Sequence, residues 1–296
     1  MFKKIFLSMF LLCFFCFSES ELKFNCSFDD VEGNKVKAGN LVGEMKGGKI
    51  VEGKEGQGIY LDGKERGCEC VVFPETRGDK FYQTFEDGPF TISVWIKPDG
   101  TKEYRQHQEI LNTGSDRGPG WRLTYTWRML IFMSGTGEKC WNVPTNPSID
   151  KVNNDEWNNV VVVKDEKGIL SLWLNAKKVG ESKEEFKIID GNSPITIGAF
   201  KSGYAYGFKG IIDEVKIYKG SLSADEILRQ YKEKTASTKI KLDGKIEEEI
   251  WQKAKRFTNF YQISSDKLVP VQTDVLFNYD EENLYFAFIC NEPKID

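Results

Sequence analysis

Residues 208–231 read FKGIIDEVKIYKGSLSADEILRQY, and this stretch decides the fold. Gly207 and Gly210 stand at its head, where the chain can take positive φ or approach another backbone closely. The run IIDEVKIY is strand-like. Period-two alternation puts Ile212, Glu214 and Lys216 on one side and Ile211, Asp213, Val215 and Ile217 on the other. Adjacent apolar residues at 211 and 212 imply that both faces are partly covered. In SLSADEILRQY, Ser223 and Glu226 form a capping box, each side chain closing a free backbone N–H of the first helical turn. Ile227, Leu228 and Tyr231 then line one stripe of a short helix. A closing strand, a turn and a short helix mark the end of a domain.

Upstream, short strands recur with turns between them and almost no helical pattern before Ser223, which predicts an all-β sandwich. Leu22, Phe24, Cys26 and Phe28 alternate with polar residues until Asp29 and Asp30 end the run. Residues 31–58 read as loops and short strands. Two strands flank the Asp62–Gly63 turn. In PFTISVWIKPDG, Phe90, Ile92, Val94 and Ile96 share one face and Trp95 takes the other. GWRLTYTWRMLIFMSG reads as a hairpin, and KCWNVPTNPSID as loop and edge strand. Val160 to Val163 suit a strand covered on both faces. Asn175-Ala176 stands where a hairpin usually has Asn-Gly.

The pattern G-x-I-D-E-V-x-I-Y-x-x-x-L-S-x-x-E-I at 210–227 resembles the C-terminal signature of laminin-G-like, concanavalin-A-like jelly rolls. PFTISVWIKP and DEWNNVVVVKDEKGILSLWLNAKKVG resemble two further segments of that family, with departures at Asn159 and Ala176. The resemblance spans about 22–232. It implies a two-sheet antiparallel jelly-roll sandwich closed by a short C-terminal helix, in the setting of secreted and surface proteins. Residues 233–238 read as a polar linker. From 239, a strand, an Asp243-capped helix with Ile246, Ile250, Trp251 and Ala254 on one stripe, and two strands (Thr273-Val275-Phe277 and Leu284-Phe286-Phe288) follow. Their order resembles the N-terminal third of family 9 carbohydrate-binding modules. That implies an incomplete second β-sandwich over 239–296, with an unpaired sheet edge.

Residues 1–20 have the form of a signal peptide: Lys3 and Lys4, then the apolar run Ile5 to Phe17, then Ser18 and Ser20 before the expected cleavage. Removal leaves no membrane span and predicts a secreted, cell-surface or periplasmic protein. The net charge of −4 offers no basic patch on the scale that nucleic acid requires. Five cysteines remain after cleavage: Cys26, Cys68, Cys70, Cys140 and Cys290. Export permits disulfides, buried thiols are equally compatible, and spacing does not fix a connectivity. A single histidine, His107, excludes multi-histidine metal sites.

Phosphate-loop and nucleophile-elbow motifs are absent, as is the E-x-D-x-E strand by which some jelly-roll glycosidases place two carboxylates on one face. Non-catalytic binding is therefore the expectation. A glycosidase or polysaccharide lyase is the less favoured reading. The family resemblance implies a structural Ca²⁺ held by Asp29 or Asp30 after the first strand and Asp213 in the last. Sugar binding needs an aromatic platform with polar neighbours. Trp95, Trp121, Trp157, Trp173 and Trp251 sit at core positions. Trp127 and Trp141 fall at loops, with Tyr104, Arg105, Arg122, Arg128 and Asn142 near in sequence. Tyr204 and Tyr206 are Gly-flanked loop aromatics. The expected carbohydrate-binding set is Trp127, Trp141, Tyr204, Tyr206, Arg128 and Asn142. The alternative is that these aromatics are lids on the sandwich ends. A glycan or polysaccharide is the expected partner, and a protein held by the same loops is the alternative.

Overall fold

The computed structural model describes residues 20–78, 88–100, 107–114, 119–136, 138–146, 148–188, 191–235, 244–252, 254–263, 265–279 and 284–290. The expected signal peptide up to residue 19, most of the linker, Tyr104 and Arg105 lie outside the described residues. The strands are β1 (Glu21–Cys26), β2 (Val31–Glu32), β3 (Lys35–Ala38), β4 (Leu41–Lys46), β5 (Lys49–Glu52), β6 (Gln57–Asp62) and β7 (Cys70–Phe73). Next come β8 (Phe90–Pro98), β9 (Gln108–Asn112), β10 (Trp121–Thr126), β11 (Met129–Gly135), β12 (Cys140–Pro144) and β13 (Asn158–Lys164). Then follow β14 (Leu170–Leu174), β15 (Lys177–Glu181), β16 (Ile195–Ile197), β17 (Lys209–Lys219) and helix α1 (Ala224–Thr235). Beyond it lie α2 (Glu249–Gln252), β18 (Lys255–Phe257), β19 (Thr273–Tyr279) and β20 (Leu284–Cys290). The chain divides into two compact units between Lys234 and Thr235.

In the first unit two antiparallel sheets face each other, as the jelly-roll reading expects. One runs β15-β14-β13-β8-β17-β6-β5, and the other β12-β11-β10-β9-β16-β7-β4-β3-β2. β17 is the hub of the first. Its early residues pair with β6, its later ones with β1, and β8 lies along its other side. First and last strands are therefore neighbours, with Glu21 opposite Lys219 and Cys26 opposite Val215. The inward positions of both sheets fill the space between: Phe24, Phe73, Phe90, Trp121, Phe132 and Phe208 are each at most 1% exposed. Trp121 stacks on Phe132 with ring centres 5.8 Å apart. Each such side chain removed from water contributes about 1.5–3 kcal/mol.

The opening stretch departs from simple alternation. Register along β8 jumps between Asp213 and Lys216, so Glu214 and Val215 together stand opposite Val94. Glu214 takes φ +50 in this β-bulge. The extra residue turns Ile212, Val215 and Ile217 all inward. The capping box forms as expected: Ser223 N donates to Glu226 Oε2 at 2.7 Å and Glu226 N to Ser223 Oγ at 3.2 Å. The stripe on α1 is narrower than expected. Ile227 packs on Val161 and Val163, and Tyr231 stacks on Trp95 at 5.7 Å, but Leu228 is 42% exposed. Trp95 is thus buried on the outer face of its sheet, under α1. The five cysteines are free thiols; Cys26, Cys68 and Cys70 are buried. Burial pushes the Cys70 thiol up to about 11.

The second unit holds α2 and the three-stranded sheet β18-β19-β20. The expected longer helix is a four-residue turn. Trp251 and Leu276 are its buried apolar residues among those described. Val275 faces Phe288, Phe277 faces Phe286 and Tyr279 faces Leu284 across β19 and β20. Directly opposed residues share a sheet face, so one face carries Tyr279, Leu284, Phe286 and Phe288, each more than half exposed.

Candidate functional site

The segment after β16, residues 198–207, is built against its own backbone preferences. Lys201, Ser202 and Tyr206 take φ of +46, +56 and +57, left-handed values that non-glycine residues adopt only when their surroundings impose them. Bonds on two sides impose them here. Tyr206 N donates to Glu65 O at 3.2 Å and Gly207 N to Lys64 O at 3.1 Å; Cys68 N donates to Gly203 O at 2.8 Å. On the other side Glu109 N, in β9, donates to Tyr206 O at 2.8 Å. Glycine is required at two points: a Cβ on Gly203 would lie 2.8 Å from Cys68 O, and one on Gly207 would lie 2.5 Å from Lys64 O. The result is a cleft of about 410 Å³ lined by Glu65, Arg66, Phe200, Tyr204, Ala205 and Tyr206. Tyr204 projects into it, 60% exposed.

A buried ion pair supports this platform from beneath. Arg122 on β10 donates through Nε to Glu109 Oε1 at 3.0 Å, and its terminal nitrogen bonds the same oxygen. Thr124 Oγ1 adds a third bond at 3.2 Å. Arg122 is 4% exposed and Glu109 fully buried. The Arg122 guanidinium lies 4.7 Å from the Phe200 ring centre and 5.8 Å from that of Tyr206, cation–π range for both. His107 meets Tyr206 edge-on at 6.0 Å. Breaking a buried pair from one side costs about 3–5 kcal/mol, because the remaining charge has no water to hold it. The rings are therefore fixed by electrostatics as well as by packing.

Tyr204 and Tyr206 come together in this cleft. Trp127 and Arg128 form the two-residue turn between β10 and β11, with φ of +53 and +61, as a type I′ hairpin requires. Trp127 is 52% exposed, and Arg128 Nε donates to Val152 O at 3.1 Å. Trp141 is not at a loop. It lies on β12 opposite Ser134 and packs against the core, because alternation from Val143 turns it inward. Asn142 faces outward opposite Met133, which stands opposite Arg122, so Asn142 and Arg122 share the outer face two strands apart. Sequence reading missed Arg66, Phe200 and Glu109. A lone acid within the strand QEILN, matched by Arg122 in WRLTYT, was the available signal for the buried pair.

The expected metal ligands part company. Asp213, fully buried, accepts N–H bonds from Lys54 at 2.8 Å and Glu55 at 3.2 Å on Oδ2 and from Glu214 at 2.6 Å on Oδ1. Asp29 Oδ1 accepts from Gln57 N at 2.8 Å. Both carboxylates thus hold the one loop 53–57. Burial first, then the Glu214 and Asp29 charges, push the Asp213 carboxyl up to about 7. Asp30 instead bonds Lys37 at 3.0 Å. Among the described residues no three His, Cys, Asp or Glu side chains gather in a metal-holding group.

A family model described as the concanavalin A-like lectin/glucanases superfamily matches residues 76–228. The chain belongs to this superfamily. Solved structures agree on the fold. Domain 4 of AbnA, a GH43 extracellular arabinanase from Geobacillus stearothermophilus solved in complex with arabinotriose, matches with TM-score 0.53 at 19% identity. The match covers 71% of this chain and 98% of that one. The binding domain of Paraclostridial Mosquitocidal Protein 1 matches with TM-score 0.58 at 17% identity, over 90% and 75% of the two chains. The botulinum neurotoxin serotype G binding domain matches with TM-score 0.56 at 15% identity, over 74% and 52%. A search of curated proteins gave no match. The superfamily match ends at 228. No helix among the described residues is long and apolar enough to cross a membrane.

Proposed function

We propose that this superfamily member is a secreted, non-catalytic carbohydrate-binding protein, and that its sugar site is the cleft around Tyr204. The observation that carries the reading is one exposed tyrosine beside Phe200 and Tyr206, all held on a strained, doubly anchored loop above a buried Arg122–Glu109 pair. Such a surface covers the apolar C–H face of a sugar ring while backbone and charged groups read its hydroxyls. A rigid platform also loses little entropy on binding. The residue 1–20 pattern supports the secreted part of this reading. Among the described residues Glu65 is the carboxylate that lines the cleft, and Glu109 beneath it is engaged by Arg122 and Thr124. Glycoside hydrolysis needs two working carboxyl groups.

Calcium is the proposed structural ion. Asp29 and Asp213 are hard oxygen donors of the kind Ca²⁺ takes, and they face the same loop with mutual repulsion that a cation would relieve. They would hold the ion there, and it would supply charge neutralisation and stiffness to loop 53–57.

The test is binding of oligosaccharides and immobilised polysaccharides to the wild-type chain and to Tyr204→Ala. Loss of aromatic cover predicts affinity lower by about tenfold or more with an unchanged melting temperature. Undiminished binding by Tyr204→Ala would remove the cleft from consideration. A second reading, a protein receptor held at the hairpin tip, is favoured by the likeness to toxin binding domains and by exposed Trp127. It predicts sensitivity to Trp127→Ala and indifference to competing sugars.

A further inference from the structure

We propose that the cleft takes an anionic glycan, one bearing carboxylate or sulfate groups, with Arg66 and Lys201 as the charge-reading residues. This rests on the reading of the cleft as a sugar site. The chain is acidic overall, with net charge −4, yet three exposed cations, Arg66, Lys201 and Lys46, gather at and beside the cleft. The Arg66 guanidinium lies 5.7 Å from the Tyr204 ring centre, and Lys201 Nζ lies 5.5 Å from that of Phe200. Lys46 Nζ donates to Ser202 O at 3.3 Å. Among the described residues no carboxylate forms an ion pair with any of these three cations. Among the described residues Glu65 is the one carboxylate lining the cleft.

Arg66 lies beside Tyr204, the exposed ring of the cleft, and Lys201 stands at its rim beside Phe200, so charge and stacking surface are presented together. A guanidinium fork meets a carboxylate or sulfate through two parallel N–H bonds, and an ammonium adds a point charge. Lys201 holds a left-handed φ of +46, a position at which glycine or asparagine would be less strained. A neutral sugar would gain nothing from the Lys201 side chain, and an anionic one would.

The test titrates the full chain by calorimetry with three probes: an oligogalacturonate for carboxylate, a heparin oligosaccharide for sulfate, and an uncharged arabino-oligosaccharide. At least one anionic probe is expected to bind about tenfold or more tighter than the uncharged one, with affinity falling as salt rises. Arg66→Gln and Lys201→Gln should each cost about tenfold against that probe. Which anionic probe binds distinguishes carboxylate from sulfate. Tight binding of the uncharged probe alone, untouched by both substitutions, overturns the anionic inference and leaves the sugar reading standing. Binding of none of the three overturns both. Should Arg66→Gln lower the melting temperature, Lys201→Gln decides, its own melting temperature being read beside its affinity.

Discussion

At the scale of single residues, Asp213 is the most consequential group outside the cleft. Its carboxyl is raised from an ordinary 3.8 to about 7, so the folded state holds this proton more tightly than the unfolded chain does. The stability it contributes is fully present below about pH 4 and is lost as pH rises through 7. In chelator, the wild-type melting temperature should therefore fall across that window relative to Asp213→Asn, whose profile should be flatter. Calcium at neutral pH should raise the melting temperature of the wild type and leave Asp213→Asn unmoved; no response from the wild type would discard the proposed ion. Asp213 was legible as a special residue from its place in the closing strand. Its partners were not, since Lys54 and Glu55 engage it through backbone N–H groups that carry no side-chain signature. Arg66 escaped for a similar reason: only folding brings KERGCEC beside KSGYAYGF.

At the scale of elements, turns were the most readable features and bulges the least. Asn175-Ala176 was read as a departure from Asn-Gly, and both residues do take left-handed φ, +51 and +61. Alanine is poorly suited there. Ala176→Gly should stabilise the β14–β15 hairpin by about 0.5–1 kcal/mol in denaturant unfolding; destabilisation would mean that the packing of the Ala176 methyl group against the cluster of Val161, Val163, Leu222 and Ile227 outweighs backbone strain. The bulge at Glu214 and Val215 left no trace in the sequence because both alternation schemes place an apolar residue at some inward position. Only the register along β8 discriminates. Trp141 was misplaced for a related reason: the turn residues around it hid a strand whose inward positions are Trp141 and Val143.

At the scale of the molecule, the first unit has a closed core, whereas among the described residues of the second the buried apolar side chains are Trp251 and Leu276. The β-sandwich was legible because long apolar runs, turn residues and the capping box agree with one another. In the second unit the strands were readable, but their exposure was not: period-two alternation reports a face to be covered, whatever covers it. The face bearing Tyr279, Leu284, Phe286 and Phe288 should bind an apolar dye such as anilinonaphthalene sulfonate. The chain cut after Lys234 should lose that fluorescence and keep a cooperative unfolding transition; persistence of the signal would place the exposed surface elsewhere. The pairing of β1 with β17 also sets a timetable for the nascent chain. Glu21 and Lys219 are roughly 200 residues apart, and at about 5–20 residues per second the first strand waits on the order of ten to forty seconds for its neighbour to be made. The central sheet therefore cannot be completed until nearly all of the first unit has been synthesised, so β17 rather than β1 decides when the sandwich closes.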